Sequence, residues 1–291
     1  MIRALAGRLR QRLPRPVLNG ARKALLGWGF LTADLRPPPE IIVVGAQRAG
    51  TTTLFRLLSE HPRLRRPTIN KGTGYFDDDY SRGTRWYRAH FPIRLRRGAT
   101  LAFECSGYYL FHPLAAARIA RDLPGCQVVV MVRDPVERAY SSYRHEFARG
   151  FETLSFADAV TQEAERTRGL GAAVAADSGV PSFGHRHHCY LQRSQYAEQI
   201  ARFVAELGRD RVHVVDANRL FADPVTTYLD LQRSLGLPSH RPAEVGRWNE
   251  RPGAPLPDDL RNHLQDHFEP HDAALALLLG DTPSWRKEPS R

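Results

Sequence analysis

Cysteine is scarce in this chain. The 291 residues include three cysteines, Cys105, Cys126 and Cys189, and no two of them form a CxxC pair. Scattered thiols argue against a disulfide framework and against a cysteine zinc site, and they fit a reducing compartment. We therefore expect a cytoplasmic protein.

Long apolar runs are missing as well. No stretch reaches the roughly 18 consecutive apolar residues that a transmembrane helix needs. The first residues alternate arginine with short apolar stretches and lack the long apolar core of a secretory signal. We expect no transmembrane segment.

Acidic residues are outnumbered, with 31 Asp and Glu against 42 Lys and Arg, and the formal net charge is +11. This excess favours polyanionic partners: nucleic acid, an acidic membrane surface, an anionic glycan or a phosphate-rich cofactor. A generally basic, solvated surface explains the charge equally well. No recognition helix or aromatic RNA-binding platform is evident, so we expect no nucleic-acid partner.

The chain divides by composition into a leader and one domain. Residues 1–36 are predicted to form a basic N-terminal leader, closed by the stiff segment Arg36-Pro37-Pro38-Pro39, and residues 37–291 a single domain. Residues 17–31 are predicted to form a helix packed on the domain. Arg22 and Lys23 leave peripheral contact with a membrane surface open as an alternative.

Three short apolar runs, rich in β-branched residues, at 41–44, 128–132 and 212–215, read as buried strands. Helical patterns follow or precede them at 53–59, 136–149 and 195–207, and a further helix is predicted at 258–268. Recurring strand, loop and helix predict an α/β fold, with a P-loop-like, doubly wound parallel sheet flanked by helices. The Ala-, Gly- and Ser-rich stretch 169–184 is predicted to be a mobile loop near a substrate cleft.

The first strand runs into a phosphate-loop pattern, Gly45-x-x-x-x-Gly50-Thr51-Thr52, followed by a helix. Backbone N–H groups of such a loop point at an anion. A nucleotide hydrolase would carry lysine immediately after Gly50; this chain has Thr51 there, and its cation is Arg48 inside the loop. The pattern predicts a cradle for one 5′-phosphate, with a ligand-free turn as the alternative. The predicted cradle residues are Gln47, Arg48, Ala49, Gly50, Thr51 and Thr52.

A second polar motif follows the second strand: Arg133-Asp134-Pro135-x-x-Arg138-x-x-Ser141. Arg133 is placed at the carboxyl end of a strand, where open α/β sheets bind ligands. An arginine with a hydroxyl suits a second, isolated phosphate. Helix capping by Asp134 is a compatible structural explanation. Two separate pockets imply a nucleotide phosphorylated at two places.

Together these motifs resemble those of the sulfotransferases that use 3′-phosphoadenosine 5′-phosphosulfate (PAPS), within the heparan sulfate and related bacterial carbohydrate-type branch. The resemblance spans residues 38–285 and includes Tyr75-Phe76-Asp77 and Tyr108-Tyr109. It implies PAPS as donor, 3′,5′-adenosine bisphosphate (PAP) as product and no metal. The implied acceptor is a hydroxyl or amine of a glycan, a glycolipid or a small metabolite.

The resemblance also implies roles for particular residues. Arg48, where the family usually has lysine, would stabilise charge on the leaving group, and Lys71 is retained as a catalytic cation. The family's catalytic glutamate is replaced by Gly72. By hypothesis, Glu104 is the best remaining base or acceptor-orienting carboxylate, and a structural pairing with Lys71 or Arg48 is the equal alternative.

Other segments are assigned less directly. Tyr196 and Arg251 match family segments near the nucleotide, so both are expected to contact the donor. The tract His185-Arg186-His187-His188 is predicted to be a basic loop rather than a metal site, and no metal ligand is assigned. The competing functions are a polyanion- or nucleotide-binding protein of this fold with weak or no transferase activity, and a P-loop kinase.

Overall fold

The computed structural model describes residues 14–94, 100–176, 182–242 and 255–287. The strands within these ranges are β1 Ile41–Gly45, β2 Leu64–Arg65, β3 Leu101–Cys105, β4 Gln127–Val132 and β5 Val212–Asp216. The first helices are α1 Arg15–Leu31, α2 Thr51–Glu60, α3 Gly83–Arg88, α4 Ala115–Asp122, α5 Pro135–Phe147, α6 Phe156–Thr161 and α7 Glu163–Arg166. The others are α8 Leu170–Ala175, α9 Phe183–His187, α10 Tyr196–Leu207, α11 Ala217–Ala222, α12 Pro224–Ser234 and α13 Asp258–Leu279.

The strands form one parallel sheet in the order β2-β3-β1-β4-β5. Ile42 of β1 lies opposite Glu104 of β3 on one side and opposite Val128 of β4 on the other. Every residue of β1 is buried, because an apolar strand in the middle of a parallel sheet is covered by helices on both faces. The predicted parallel α/β fold with flanking helices is confirmed.

The strand order places β1 at the topological switch point of the sheet, with β2 and β3 on one side and β4 and β5 on the other. From β1 the chain passes first to β2 at one edge of the sheet, returns to form β3 between β2 and β1, and then crosses to the other side of β1 with β4 and β5. The loops after neighbouring strands diverge at such a point and leave a crevice outside their carboxyl ends. The loops after β1, β3 and β4 therefore meet at one edge of the sheet.

The predicted elements match the observed ones closely, with two differences. The helix predicted at 258–268 is α13, which continues through Pro270 to Leu279. The stretch 169–184 contains the short helix α8 and the first two residues of α9, so the loop prediction is wrong there, while residues 177–181 lie outside the described residues. The alanines explain this wrong loop prediction. An Ala-, Gly- and Ser-rich composition is common in loops, but alanine itself has the highest helix propensity.

The segment before β1 is packed on the domain. Arg36 is buried and donates hydrogen bonds to the Phe91 carbonyl and, at 2.8 Å, to Thr32 Oγ1. Arg85 of α3 donates to the Phe30 carbonyl at 3.2 Å, which ties the last turn of α1 to the domain. Within the described ranges no helix is long and apolar enough to cross a membrane.

Candidate functional site

A cavity of about 680 Å³ opens at the carboxyl edge of the sheet. The loops after β1, β3 and β4, together with helices α5 and α11, supply most of its walls. Its described lining includes five cations: Arg48, Lys71, Arg133, Arg144 and Arg186. The other lining residues are Gln47, Gly50, Thr51, Thr52, Cys105, Gly107, Tyr108, Glu137, Tyr140, Ser141, His145, Asn218, Phe221 and Ala222.

The loop after β1 is held open by its backbone conformation. Gly50 has φ 86° and precedes α2, where no described side chain caps the helix. A Cβ at this glycine would lie 3.1 Å from the Phe221 ring. Arg48 also has a positive φ, 73°, which a non-glycine residue adopts at a cost and often at ligand sites. The first N–H groups of α2 are thus available to an anion at the cavity wall.

The structure brings the two predicted phosphate pockets into one cavity. Arg48 Nε donates to Ser141 Oγ at 3.1 Å, and Arg133 Nη1 donates to the Arg48 carbonyl at 3.3 Å. The two predicted phosphate positions therefore lie on the wall of the same cavity. The loop after β1 and helix α5 converge because β1 and β4 are adjacent strands.

Lys71 reaches the phosphate loop from a different part of the chain. Its Nζ donates to Thr51 Oγ1 at 2.9 Å and to Thr52 Oγ1 at 3.4 Å. The Cys105 N–H donates to the Lys71 carbonyl at 3.0 Å and holds residue 71 beside the end of β3. An ammonium group therefore stands at the N-terminus of α2, although Thr51 occupies the sequence position where a nucleotide hydrolase has its lysine.

Helix α5 presents one face to the cavity. Asp134 caps it, accepting hydrogen bonds from the N–H groups of the first turn, so the capping explanation holds together with a place for Ser141 in the cavity wall. Glu137, Ser141 and His145 follow each other at intervals of four residues and all line the cavity. Glu137 pairs with Arg133 at 3.4 Å and also with Arg261 at 2.9 Å.

Glu104 does not line the cavity. It is fully buried and accepts hydrogen bonds from Tyr87 at 2.8 Å, from the Thr73 N–H at 2.8 Å and from Tyr109 at 3.2 Å. Burial raises the pKa of Glu104, and the hydrogen bonds from Tyr87 and Thr73 oppose that shift. This placement contradicts the hypothesis that Glu104 is the base, because a base must reach the proton that it removes. The ammonium of Lys71 donates to the loop threonines rather than to Glu104.

Gly72, which replaces the family's glutamate, has no room for a side chain. A Cβ there would lie 2.3 Å from Ser106 Oγ and 2.5 Å from the Cys105 carbonyl oxygen. Both distances are far below ordinary van der Waals contact. The end of β3 thus occupies the space that a glutamate at position 72 would need.

Two further predicted contact residues, Tyr196 and Ala49, are not on the described cavity wall. Tyr196 is buried, and its hydroxyl donates to the Arg133 carbonyl at 2.9 Å, so it supports Arg133 rather than facing the cavity. Ala49 is also buried, with its N–H donating to the Ala46 carbonyl at 3.2 Å. Arg251 lies outside the described residues.

The cavity also contains residues that the sequence did not assign. Tyr108 lines it, and the Tyr108 hydroxyl lies 2.6 Å from Nδ1 of buried His185. Burial, with Arg193 and Arg202 nearby, lowers the pKa of His185 to about 4, so this ring is neutral at neutral pH. Arg186 covers the Tyr108 ring with its guanidinium carbon 4.7 Å from the ring centroid.

The sequence contains patterns that could have indicated some of these lining residues. Arg144 and His145 stand three and four residues after Ser141 in a predicted helix, so they share its face. Tyr108 belongs to the motif Tyr108-Tyr109, but the sequence gives this tyrosine no particular role. Arg186 and Phe221 had no signal, because only the fold brings α9 and α11 to this edge of the sheet.

The loop prediction for the histidine tract is wrong, because His185, Arg186 and His187 lie in helix α9, and the histidine rings do not converge on one point. His187 Nδ1 is 3.0 Å from Glu146 Oε2, and His188 Nε2 is 2.9 Å from the Phe151 carbonyl oxygen. His185 instead contacts Tyr108. Among the residues described, no group of three or more His, Cys, Asp or Glu side chains is arranged to hold a metal ion.

Comparisons with known proteins agree with this architecture. The model of the sulfotransferase domain family matches residues 38–250. Human bifunctional heparan sulfate N-deacetylase/N-sulfotransferase 3 is 26% identical over 282 residues, covering 86% of this chain and 31% of that protein. The mouse enzyme numbered 1 in the same series is 27% identical over 282 residues, with the same coverage. The chain spans about a third of the length of these curated relatives.

A solved structure is similar over the same extent. The sulfotransferase from Alicyclobacillus acidocaldarius is 27% identical and superposes with a TM-score of 0.66, covering 86% of this chain and 100% of that one. The family match covers well over half of the sequence and includes the phosphate loop, Lys71, Arg133 and Ser141. The chain belongs to the sulfotransferase domain family.

Proposed function

We propose that this protein transfers a sulfuryl group from PAPS to a hydroxyl or amine of a glycan. The observation that carries the proposal is the convergence of Arg48, Lys71 and Arg133 on the uncapped N-terminus of α2, within one cavity. Those cations suit a donor with phosphate at two positions. The relatives named as heparan sulfate N-sulfotransferases favour a glycan as the acceptor. A glycolipid or a small metabolite is the alternative acceptor.

The residues present fit such a donor. Gln47 Oε1 is buried at the cavity and accepts no hydrogen bond from the described residues, so a donor group of a nucleotide base or ribose would satisfy it. The volume of about 680 Å³ accommodates a nucleotide together with part of an acceptor. The described lining contains a single carboxylate, Glu137, and this residue is paired with arginines.

When bound, PAPS supplies a sulfuryl group whose departure leaves negative charge on the 5′-phosphate. The N–H groups at the start of α2 and the Thr51 and Thr52 hydroxyls hold that phosphate, with Lys71 fixing both hydroxyls. Arg48 neutralises the developing charge electrostatically, since arginine does not donate its proton at ordinary pH. Arg133 and Ser141 hold the 3′-phosphate, with Tyr196 steadying the Arg133 backbone.

A base is needed to take the proton from the acceptor. Glu104 is fully buried and does not reach the cavity, and Glu137 forms ion pairs with Arg133 and Arg261. Burial raises the pKa of Cys105 and of Tyr108, so neither ionises readily. His145 is the remaining lining side chain of a type that commonly serves as a base, and we assign it this role.

The experiment is a direct transfer assay. The protein is incubated with PAPS and a panel of acceptors: de-N-acetylated and intact heparosan, a glycolipid and a phenol. Mass spectrometry then measures PAP release and sulfated product. Arg48→Ala should lower the transfer rate by on the order of 100-fold or more. The control variant Arg56→Ala, which removes an exposed arginine of helix α2, should not change the rate.

The outcomes separate the candidate functions. Equal PAP release by wild type and Arg48→Ala would contradict the proposed site. Binding of PAP and of heparin with no product from any acceptor would instead favour a binding protein of this fold that has lost catalysis. Phosphorylated product from ATP and Mg²⁺ would favour a kinase.

A further inference from the structure

Helix α1 carries an apolar face that the domain leaves in solvent. Val17, Trp28 and Leu31 are 52%, 57% and 72% exposed. At 3.6 residues per turn, these three side chains and the exposed Ala21 and Ala24 fall within about 80° of the helix circumference. They form a continuous apolar stripe about four turns long.

A different side of α1 contacts the domain. Gly29 is buried against α3, and a Cβ there would lie 2.2 Å from the Ala89 carbonyl oxygen. The Arg85 guanidinium donates to the Phe30 carbonyl and lies 5.3 Å from the centroid of its ring. Gly29 stands about 120° from the middle of the stripe. The last turns of α1 are therefore anchored, while the apolar stripe remains open to another partner.

The charge around this stripe has one sign. No acidic residue occurs before Asp34, whereas six arginines and one lysine do: Arg3, Arg8, Arg10, Arg12, Arg15, Arg22 and Lys23. Arg22 and Lys23 are exposed on α1 itself. This apolar stripe carries a tryptophan, and the exposed cations Arg22 and Lys23 lie on the polar side of the same helix. The combination matches the chemistry of an anionic lipid surface, where apolar side chains insert and cations meet headgroups.

We propose that α1 is a membrane-docking helix that lies on an anionic lipid surface, with Val17, Trp28 and Leu31 inserted among the lipids. A second copy of the chain fits this face less well, because symmetric pairing of two such helices would bring two wholly basic segments together. Nucleic acid would match the charge but would leave the apolar stripe exposed to water. The proposal concerns a surface separate from the transfer site and does not depend on the proposed reaction.

The test is co-sedimentation of the full chain with vesicles. One set is phosphatidylcholine alone, and the other contains equal parts of phosphatidylcholine and phosphatidylglycerol. The wild type should bind the anionic vesicles and leave the neutral ones largely unbound. The double variant Trp28→Ser, Leu31→Ser should bind on the order of tenfold or more weakly, because it removes the two largest inserted side chains. The variant Arg22→Glu, Lys23→Glu should lose the preference for anionic lipid.

A matched control separates this face from general surface apolarity. Leu277 is 86% exposed on α13, and Leu277→Ser should bind vesicles as the wild type does. Unchanged melting temperatures would show that the variants remain folded. Failure of the wild type to bind, or equal binding by the Trp28 and Leu31 variant, would overturn the proposal. A wild-type dimer that the same variant dissolves, measured by light scattering, would assign the face to a second copy instead.

Discussion

Position 72 offers a sharp test of the site's architecture. The structure predicts that Gly72→Ala destabilises the protein, because the added Cβ would sit 2.3 Å from Ser106 Oγ and 2.5 Å from the Cys105 carbonyl oxygen. The carbonyl belongs to β3, which is paired with β1 and β2 and cannot easily retreat. Ser106 also donates to Glu104 at 3.2 Å, so displacing it disturbs the buried carboxylate.

The expected magnitude follows from two opposing effects. Overpacking a closely packed site costs about 1–3 kcal/mol. Replacing glycine with alanine also restricts the unfolded chain. This effect stabilises the folded state by about 0.4–1 kcal/mol where alanine can adopt the backbone conformation. Taken at the middle of each range, the two effects together lower the free energy of unfolding of Gly72→Ala by about 1 kcal/mol. Gly125→Ala is the matched control, since nothing lies within 4 Å of its added Cβ.

The assay is urea denaturation of both variants beside the wild type. Gly125→Ala should be unchanged or slightly stabilised, and Gly72→Ala should show a lower midpoint with an unchanged slope. Gly72→Glu, which restores the family's residue type, should be at least as unstable and should gain no turnover. Equal stability of Gly72→Ala and Gly125→Ala would refute the packing argument.

Three further outcomes follow from the site. His145→Asn should lower kcat by about 10²–10⁴-fold without changing the Kd for PAP, and an unchanged kcat would remove His145 as the base. Lys71→Met should weaken PAP binding about tenfold or more in calorimetric titration, because the charge-assisted hydrogen bonds that fix the Thr51 and Thr52 hydroxyls are lost; an unchanged Kd would contradict this. Burial raises the pKa of Asp77 to about 7, against the opposing charge of Arg186. The folded state therefore holds a proton that the unfolded chain releases near about pH 4, so stability falls as pH rises towards 7, by at most about 1.4 kcal/mol per pH unit. Asp77→Asn should flatten that slope in denaturation measured from pH 5 to pH 8, and an identical slope would contradict the assignment.

Much of the fold was predictable because its strands are short runs of apolar, β-branched residues. The run at 128–132 became β4, and the polar turn after it placed Arg133 at the sheet edge. The phosphate loop was predictable for a similar reason, since glycines at 45 and 50 follow a buried strand. Local pattern was sufficient wherever one element and the next turn determined the geometry.

The remaining features of the site depend on contacts between residues far apart in the sequence, and no local sequence pattern encodes these contacts. A strand alternates its side chains between two faces, but β3 is buried on both, so the sequence could not tell that Glu104 points away from the cavity. Lys71 and Thr51 meet across the sheet edge although 20 residues separate them. The position of Arg186 depends on α9 docking beside Asp77 and Asp78.

The central claim is that one cavity binds a nucleotide with phosphates at both its 3′ and 5′ ends. Its most direct test is the thermal shift given by PAP and by ATP with Mg²⁺, for wild type, Arg133→Ala and the surface control Arg121→Ala. PAP at 100 times its Kd should stabilise wild type and Arg121→Ala by about 2.7 kcal/mol, with little effect on Arg133→Ala and a smaller effect of ATP on all three. Equal stabilisation by PAP and ATP, or a full PAP response in Arg133→Ala, would contradict the account.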